Sequence, residues 1–486
     1  MTASTLGRST QRGASSIALG YSAGMQVLAI MNGFTLSASP SIQMHVSAIH
    51  GFAVILLSFL ALVYLLRCDR AALLSPLSYV LLVTIAFHGV GVLYYTYGSE
   101  ASLAWSNNIY PVTSESLTKV DLVSSVGLAA VWLAASVVLG VRSGMRRNAI
   151  PPVVPADWLA RFYFVVGFGA WYLLVIPYTL GWTPFTLPGV GMLLVNLAYA
   201  SVFLMSVLRQ RTQGRQFRLL LPIGVFAGIF AGLLTTSKTY AILTLLFYFL
   251  GRFHGRRDIR KLLTGMLTLL ILYVVLAPFV LFVRDQLVRQ PERVAASIWV
   301  DYFESQGEAS TNTGVQWAFL RLSYVGPEAY CVDQYDSGVR TKSLSSGFVD
   351  VLVPRLIFPD KPVRNLGRDF SEEYNSNPNN SISPGIFAEA YWGGGWIALI
   401  GIGLLAGLAL GFAHRFIGRA LMEEDWLVLP LVVGLFLGLG LINGFATDVL
   451  VYFPVVLVAL QVGVCGVVAL VAPRCVPVNQ REPVAV

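Results

Sequence analysis

The chain has 486 residues, of which 56% are hydrophobic and only 12% are charged, and its mean hydropathy is +0.69. A soluble domain carries about twice that charged fraction, so the composition excludes a soluble globular protein and predicts a polytopic membrane protein. The net charge of +8 does not indicate a nucleic-acid partner, because the basic residues form no patch with interleaved aromatic residues.

Twelve apolar runs are each long enough, at about 20 residues, to cross a bilayer as a helix. Uniform apolarity over such lengths favours helices over the alternating strands of a membrane barrel. The runs lie near residues 17–35, 47–66, 77–97, 121–141, 158–179, 187–208, 219–235, 238–254, 262–283, 395–413, 427–446 and 449–472. We therefore predict an all-α polytopic membrane protein with about 12 transmembrane helices.

The runs divide the chain into a nine-helix region at 1–283, a polar segment at 284–394, a three-helix region at 395–472 and a tail at 473–486. Basic residues concentrate in alternate connections, whereas the short connections of the opposite face hold only Lys119 and Lys238. The positive-inside rule then places both termini in the cytoplasm and the polar segment outside. The basic residues of the polar segment do not oppose this placement, because long loops are exempt from the rule.

The polar segment is rich in aromatic residues, unlike a linker, which is rich in Gly, Ser and Pro. Helical patterns at 294–303, 313–330 and 347–356 predict a mostly helical external cap. Cys331 is its only cysteine, so no disulfide framework is available there. The five histidines of the chain are scattered and lack zinc-ligand spacing, and the sequence indicates no metal site.

Cations of the polar segment favour an oxyanion ligand. Three prolines surround Arg355, Lys361 and Arg364 in the run 354–364, and arginine forks suit phosphate oxygens. A rigid cationic site beside a membrane matches a lipid diphosphate headgroup. Pairing of these cations with neighbouring aspartates, or with anionic lipid headgroups, is the alternative interpretation.

Glu389 stands among small and aromatic residues just before an apolar run. A carboxylate in such a partly dry position suits general-base chemistry, and a structural pairing with an arginine is the alternative. The nearby Tyr391 and Trp392, and also Tyr324, suit stacking on sugar faces, unless they belong to the aromatic belt of the membrane.

Charges near the apolar runs are few. Lys238 and Asp448 stand at tight outer turns, where an ionisable residue is either functional or a helix cap. His88 is the only ionisable residue predicted near the centre of a run, so the sequence does not indicate the buried acid–base chain of an ion-coupled pump.

A pattern of prolines, cations and two carboxylates runs through residues 350–396. It consists of Pro354-Arg355, Phe358-Pro359-Asp360-Lys361-Pro362, Ser383, Gly385, Glu389, Tyr391 and Gly393. This pattern, together with the layout of the runs, resembles the bacterial oligosaccharide repeat-unit polymerases, the Wzy-type O-antigen polymerases. Arg284, Arg321 and the Lys238 turn match more loosely, since an arginine is expected at that turn.

The resemblance implies a GT-C-like glycosyltransferase at the periplasmic face of the bacterial inner membrane. Such enzymes transfer a glycan from one undecaprenyl diphosphate carrier to a new carrier-linked repeat unit, without a nucleotide sugar, a metal or another cofactor. The implied partners are undecaprenyl-diphosphate-linked oligosaccharides, membrane lipids and a chain-length regulator protein, with no nucleic acid.

Roles follow from the same resemblance. The implied catalytic residues are Glu389, Arg355 and Arg321, with Asp350 or Asp360 as alternative bases. The implied diphosphate-binding residues are Arg284, Lys361, Arg364, Arg368 and Lys238. The implied sugar-binding residues are Tyr391, Tyr324 and Trp392.

Three alternatives remain open. An O-antigen ligase is expected to carry a functional histidine in its large loop, and residues 284–394 contain none. Another lipid-carrier glycosyltransferase would carry acids in its first outer loop, whereas residues 35–46 contain none. A flippase or transporter for the lipid-linked sugar would show a charged central cavity or internal repeats, and the sequence indicates neither.

Overall fold

The architecture is all-helical. A computed structural model describes residues 3–141, 154–180, 182, 192–211, 215–235, 237–256, 259–289, 298, 301–302, 323–341, 366–376, 381–440 and 442–472. These residues are 88% helical and contain no strand. Eight of their helices are long and apolar enough to cross a membrane, which confirms the all-α class and the polytopic membrane protein.

Five helices occupy the N-terminal part of the chain. They are α1 (Ala3–Thr35), α2 (Pro40–Cys68), α3 (Pro76–Tyr97), α4 (Glu100–Ile109) and α5 (Ser114–Gly140). Both α2 and α3 begin at a proline, where the missing N–H removes no helical hydrogen bond. Within α3, residues Ile85–Val90 form a π-helical turn.

Ten further helices follow. They are α6 (Ala156–Thr179), α7 (Val195–Arg211), α8 (Arg215–Leu234), α9 (Lys238–Arg256), α10 (Ile259–Arg289), α11 (Val325–Asp336), α12 (Leu366–Asn375), α13 (Ile386–Met422), α14 (Leu429–Leu439) and α15 (Asp448–Val471). Both α6 and α15 contain a π-helical turn, at Trp171–Val175 and Asp448–Tyr452.

The eight helices of membrane-spanning length lie in α1, α2, α3, α5, α6, α8, α13 and α15. The other four predicted runs fall on α7, α9, α10 and α14. These are helices, but the structure contains only shorter apolar stretches there, such as Thr264–Leu276 and Trp426–Leu439. The count of 12 spans therefore stays a prediction.

Two helices, α11 and α12, are described within the polar segment. The predicted helix at 313–330 has the wrong bounds, because α11 begins at Val325 and extends to Asp336. The reason is Pro327, whose ring in a longer helix would clash with the carbonyl of Ser323 four residues earlier. The predicted helices at 294–303 and 347–356 lie largely outside the described residues, and α12 was not predicted.

The chain forms two compact units. Unit 1 contains Met1–Val141, Gly307–Arg419 and Leu435–Val455. In its core, α13 packs closely on α5 through Gly403, Gly407 and Gly411, and a Cβ atom at Gly407 would lie only 2.1 Å from the carbonyl oxygen of Val131. Small residues at four-residue spacing allow such close approach of helices.

Unit 2 contains Arg142–Gln306, Ala420–Gly434 and Val456–Val486. Its interior holds a group of aromatic side chains, in which Trp171 stands edge-on to Tyr199 and Tyr240 at centroid distances of 5.6 and 5.1 Å. Buried Tyr163 donates its hydroxyl to the carbonyl oxygens of Trp426 and Leu427. These contacts give unit 2 a core of its own.

Candidate functional site around Glu389 and Glu328

Non-helical segments of unit 1 precede α13 and α15, and they lie side by side. The segment before α13 is extended, and Gly385 has a φ of +81°, a conformation that favours glycine. The N–H of Ile386 donates to the carbonyl of Ile442, at 2.9 Å, in the connection between α14 and α15. This bond holds the start of α13 beside the backbone that leads into α15.

Glu389 lies in the first turn of α13 and is only 1% exposed. Its Oε2 accepts a hydrogen bond of 2.7 Å from the backbone N–H of Ala446. Ala446 opens the helical residues that lead into α15, and a carboxylate is favourable at such a positive helix end. Glu389 therefore ties two helices together.

Glu328 on α11 is a second buried carboxylate, which the sequence reasoning missed. It is 5% exposed, and its Oε1 lies 3.4 Å from the position a Cβ atom would take on Gly385. Burial, and secondly the charge of Asp121, raise the pKa of Glu328 well above its ordinary value. The available signal was its position on the apolar face of α11, between Val325 and Val332 at helical spacing.

A narrow crevice reaches Glu328 between three helices. Its lining comes from α5, α11 and α13, and consists of Val120, Val123, Ser124, Glu328, Val332, Phe387 and Ala388. The walls are mostly apolar, so the carboxyl group is the principal polar group of the crevice. The crevice is too narrow to hold a water molecule, which agrees with the low exposure of Glu328.

The predicted sugar-binding aromatic residues lie in packed surroundings. Trp392 is buried against Tyr330 and Phe370, at centroid distances of 5.8 and 6.2 Å. Tyr324 stands edge-on to Phe87 at 4.6 Å, and its hydroxyl accepts a hydrogen bond from the amide of Asn443. These two side chains contribute to the core as the structure describes it, and a sugar-binding role stays a prediction.

Tyr391 is itself only 7% exposed and packs against a surface that carries both aromatic and cationic side chains. Its ring lies 4.5 Å from that of Tyr335 and 5.0 Å from that of Trp396, which is 40% exposed. The guanidinium of exposed Arg340 stacks on Tyr335, 3.6 Å from the ring centroid. We define these four residues, with Lys119, as the cation–aromatic surface.

Polar contacts with α5 and the residues before it hold α11 in place. Asp333 accepts hydrogen bonds from the hydroxyls of Tyr110 and Ser116, at 2.7 and 2.9 Å. Lys119 bridges Asp336 and Glu115, each at 2.8 Å. Tyr335, the member of the cation–aromatic surface that lies on α11, is thus held by a helix that is anchored at several points.

The remaining predicted residues are not brought to this site by the described structure. Arg355, Arg321, Lys361 and Arg364 lie outside the described residues, as do Asp350 and Asp360. Arg284 and Lys238 lie in α10 and α9, and the structure describes only their backbone. Arg368 is exposed on α12. Within unit 1, the structure therefore groups Glu389 with Tyr391, Trp392 and Tyr324.

Buried titratable groups other than His88 are present in the apolar helices, so the expectation that His88 is the only ionisable residue near a span centre is wrong. His50 Nε2 lies 3.6 Å from Asp121 Oδ1, and both side chains are 1% exposed. His88 Nδ1 lies 3.8 Å from Glu328 Oε2. The prediction placed Asp121 at the end of a span, because the apolar run begins at this residue. In the structure, α5 begins at Ser114, so Asp121 is buried about two turns inside the helix.

One hydrogen-bonded chain joins Ser75, His414 and Asp69. His414 is distant in the sequence from the other two residues. The imidazole of His414 contacts Ser75 Oγ at 2.6 Å and Asp69 Oδ2 at 2.9 Å. These are the residue types of a hydrolytic triad. Ser75 is wholly buried, however, and its hydroxyl caps α3 by accepting from Leu77 N. The chain therefore joins the ends of α2 and α3 to α13.

No protein-family model, no curated protein and no solved structure matches this chain. The resemblance to the repeat-unit polymerases consequently depends on the sequence pattern at 350–396.

Proposed function

We propose that this protein polymerises lipid-diphosphate-linked oligosaccharide repeat units on the periplasmic face of the bacterial inner membrane. In this proposal the chain has 12 spans and a GT-C-like arrangement, with both termini in the cytoplasm and residues 284–394 in the periplasm. The donor and acceptor are undecaprenyl-diphosphate-linked oligosaccharides, and a chain-length regulator is a partner. Neither a metal nor another cofactor takes part.

The observation that supports this proposal is the cation–aromatic surface beside buried Glu389 and Glu328. Aromatic faces suit stacking on sugar rings, and Arg340 and Lys119 suit anionic oxygens. Tyr391 belongs to this surface and lies two residues after Glu389. A sugar-binding surface, a cation and a carboxylate are the groups that glycosyl transfer from a diphosphate carrier requires.

The reaction is a single displacement in this proposal. The acceptor hydroxyl oxygen forms a bond to the anomeric carbon, and the bond from that carbon to the diphosphate oxygen breaks with its electron pair leaving on the diphosphate. A carboxylate, proposed to be Glu389, takes the hydroxyl proton. The cations Arg355, Arg321, Arg284, Lys361, Arg364, Arg368 and Lys238 are proposed to stabilise the departing charge.

The test is reconstitution of the purified full-length protein with lipid-linked repeat units, without nucleotide or metal. A ladder of repeat multiples on a gel is the expected product. Arg355→Ala is expected to abolish the ladder while the protein stays in the membrane, because the diphosphate charge loses a bidentate partner. A full ladder with this variant would remove Arg355 from the proposed site. Product that forms only with added lipid A core would instead indicate the ligase.

A flippase or transporter of the same lipid-linked sugar is the second candidate. The observation in its favour is the pair of buried acid–base contacts, His50 with Asp121 and His88 with Glu328, because ionisable groups inside membrane helices often mark ion pathways. The same vesicles distinguish the two functions. Movement of a labelled lipid-linked oligosaccharide across the bilayer without any covalent product would favour the transporter.

A further inference from the structure

Four buried titratable side chains lie together in unit 1. His50 faces Asp121, and His88 faces Glu328, at the distances given above. Electrostatic interaction also links Asp121 to Glu328 and His50 to His88. The four side chains thus form one cluster of interacting groups, which we define as the buried quartet. It draws one residue from each of α2, α3, α5 and α11.

Polar atoms of the quartet and its surroundings are left without hydrogen-bond partners. Buried polar groups in proteins are almost always paired, and an unpaired buried charge is costly. The unpaired atoms in the described part of the chain include Asn32 Oδ1, Ser47 Oγ, His50 Nε2, Asp121 Oδ1, Asp121 Oδ2 and Glu328 Oε2. Ser47 interacts with Asp121, yet neither has a partner at hydrogen-bonding geometry. The apolar side chains around these atoms supply no hydrogen-bond donors or acceptors.

The hydrogen bond from Asn32 orients His50. The amide nitrogen of Asn32 donates to His50 Nδ1 at 2.9 Å, so Nδ1 accepts and the proton of a neutral imidazole resides on Nε2. That nitrogen faces Asp121. The separation of 3.6 Å exceeds a hydrogen bond but is short enough for a modest side-chain rotation to close.

We propose that the buried quartet is a proton-binding site, in which each carboxyl group binds one exchangeable proton on an oxygen atom and faces its partner imidazole. In the His50–Asp121 pair, Nε2 already carries the imidazole proton, so the exchangeable proton bonds to a carboxyl oxygen of Asp121. Release of the proton breaks that O–H bond and leaves a carboxylate beside the imidazole. The inference goes beyond the proposed polymerase and does not depend on it.

The ligand that fits this spacing is a proton rather than a metal ion. Among the described residues, no three His, Cys, Asp or Glu side chains converge closely enough to hold a metal. Burial raises the pKa of Glu328, which agrees with a carboxyl group that holds a proton more tightly than an exposed one does. Titratable groups near this end of the quartet include Cys331, whose pKa burial also raises, and the carboxyl groups of Glu389 and Glu373 that interact with it.

Glu328 differs from the other members of the quartet in its placement. Glu328 belongs to α11 and lines the crevice, whereas the other three groups lie on apolar helices. Removal of the proton from both pairs leaves Asp121 and Glu328 negative and opposed, which repels α11 from α5. The quartet therefore links the protonation state of the interior to the position of the helix that carries Tyr335.

The test is infrared difference spectroscopy of the full-length protein in lipid nanodiscs while the buffer pH is stepped. A protonated carboxyl group has a C=O stretching band that a carboxylate lacks. At about pH 7, where exposed carboxyl groups with a pKa of about 4 are ionised, the wild type is expected to retain this band. Asp121→Asn and Glu328→Gln are each expected to remove one component. Glu373→Gln, on the exposed face of α12, is the matched control and leaves the band unchanged.

Two outcomes would overturn the proposal: no protonated carboxyl band at that pH, or a band that both variants leave intact. If either variant fails to fold, His50→Gln keeps both carboxyl groups and is expected to shift the pH midpoint of the band; an unchanged midpoint counts against the site. Loss of the band when Na⁺ replaces choline at constant pH would assign a metal cation instead. No glycan is present, so failure here leaves the polymerase proposal untouched.

Discussion

Glu389 and Glu328 are both buried near the start of α13, but their surroundings differ. Glu389 accepts a hydrogen bond of 2.7 Å from the backbone N–H of Ala446. Glu328 has an unpaired oxygen and faces an imidazole at 3.8 Å. The comparison shows that burial alone does not identify a reactive carboxylate, because a satisfied one holds helices together and an unsatisfied one is poised to exchange a proton.

The largest loss of stability and activity is expected from substitutions of Glu389. Two substitutions, to alanine and to glutamine, separate its structural role from its chemical role. Glu389→Ala leaves the Ala446 N–H buried and unpaired, which is expected to cost about 1–3 kcal/mol of unfolding free energy. Glu389→Gln keeps an acceptor oxygen and is expected to retain most of that stability while abolishing polymer. Thermal unfolding in detergent and the product ladder measure the two effects. A full ladder with Glu389→Gln would limit Glu389 to its structural role.

A change at Gly385 is expected to disturb both carboxylates at once. Gly385→Ala forces a side chain onto a φ of +81°, beside Glu328 Oε1 at 3.4 Å, and is expected to destabilise the protein by about 1–2 kcal/mol. Gly401→Ala, also in unit 1, is the matched control. It has open space at its Cβ position and is expected to stabilise α13 slightly. Equal unfolding temperatures for the two variants would contradict this account.

The stability of the wild type is expected to fall as the pH rises from the ordinary Glu value of 4.5 towards the raised pKa of Glu328. In this range the folded state binds more protons than the unfolded state, so the unfolding free energy decreases with pH. Glu328→Gln removes the titrating group and is expected to flatten this dependence. Unfolding temperatures across the range, with Glu373→Gln as control, measure it. Identical slopes for wild type and Glu328→Gln would contradict the assignment.

The smallest effect is expected from the ion pairs at the surface. Lys119 contacts Asp336 and Glu115 at 2.8 Å, but solvent screens partly exposed pairs of this kind. Lys119→Met keeps the apolar stem and is expected to change the unfolding free energy by less than about 1 kcal/mol. A larger loss, measured by denaturation in low and high salt, would show that this anchor matters more to α11 than the hydrogen bonds of Asp333.

Local sequence features determined much of the helical framework. Apolar runs of spanning length predicted eight helices that the structure contains, because a bilayer requires every backbone group to be satisfied within the helix. The aromatic and small residues around Glu389 also indicated a partly dry carboxylate, and Glu389 is buried. Helix starts were less well predicted, as α5 and α11 show, since the ends depend on capping residues and prolines rather than on hydropathy.

Tertiary structure alone decided which polar groups meet. His50, His88, Asp121 and Glu328 are separated along the chain by up to 278 residues, that is 328 − 50, and no local pattern relates them. They converge because four helices pack side by side, and glycines such as Gly51 and Gly89 allow α2 and α3 to approach closely. Composition by itself determined that this is a membrane protein of helices, because transfer of apolar side chains from water depends on their number and spacing. The pairing of buried charges depends on distances of a few ångströms, which only the packed helices establish.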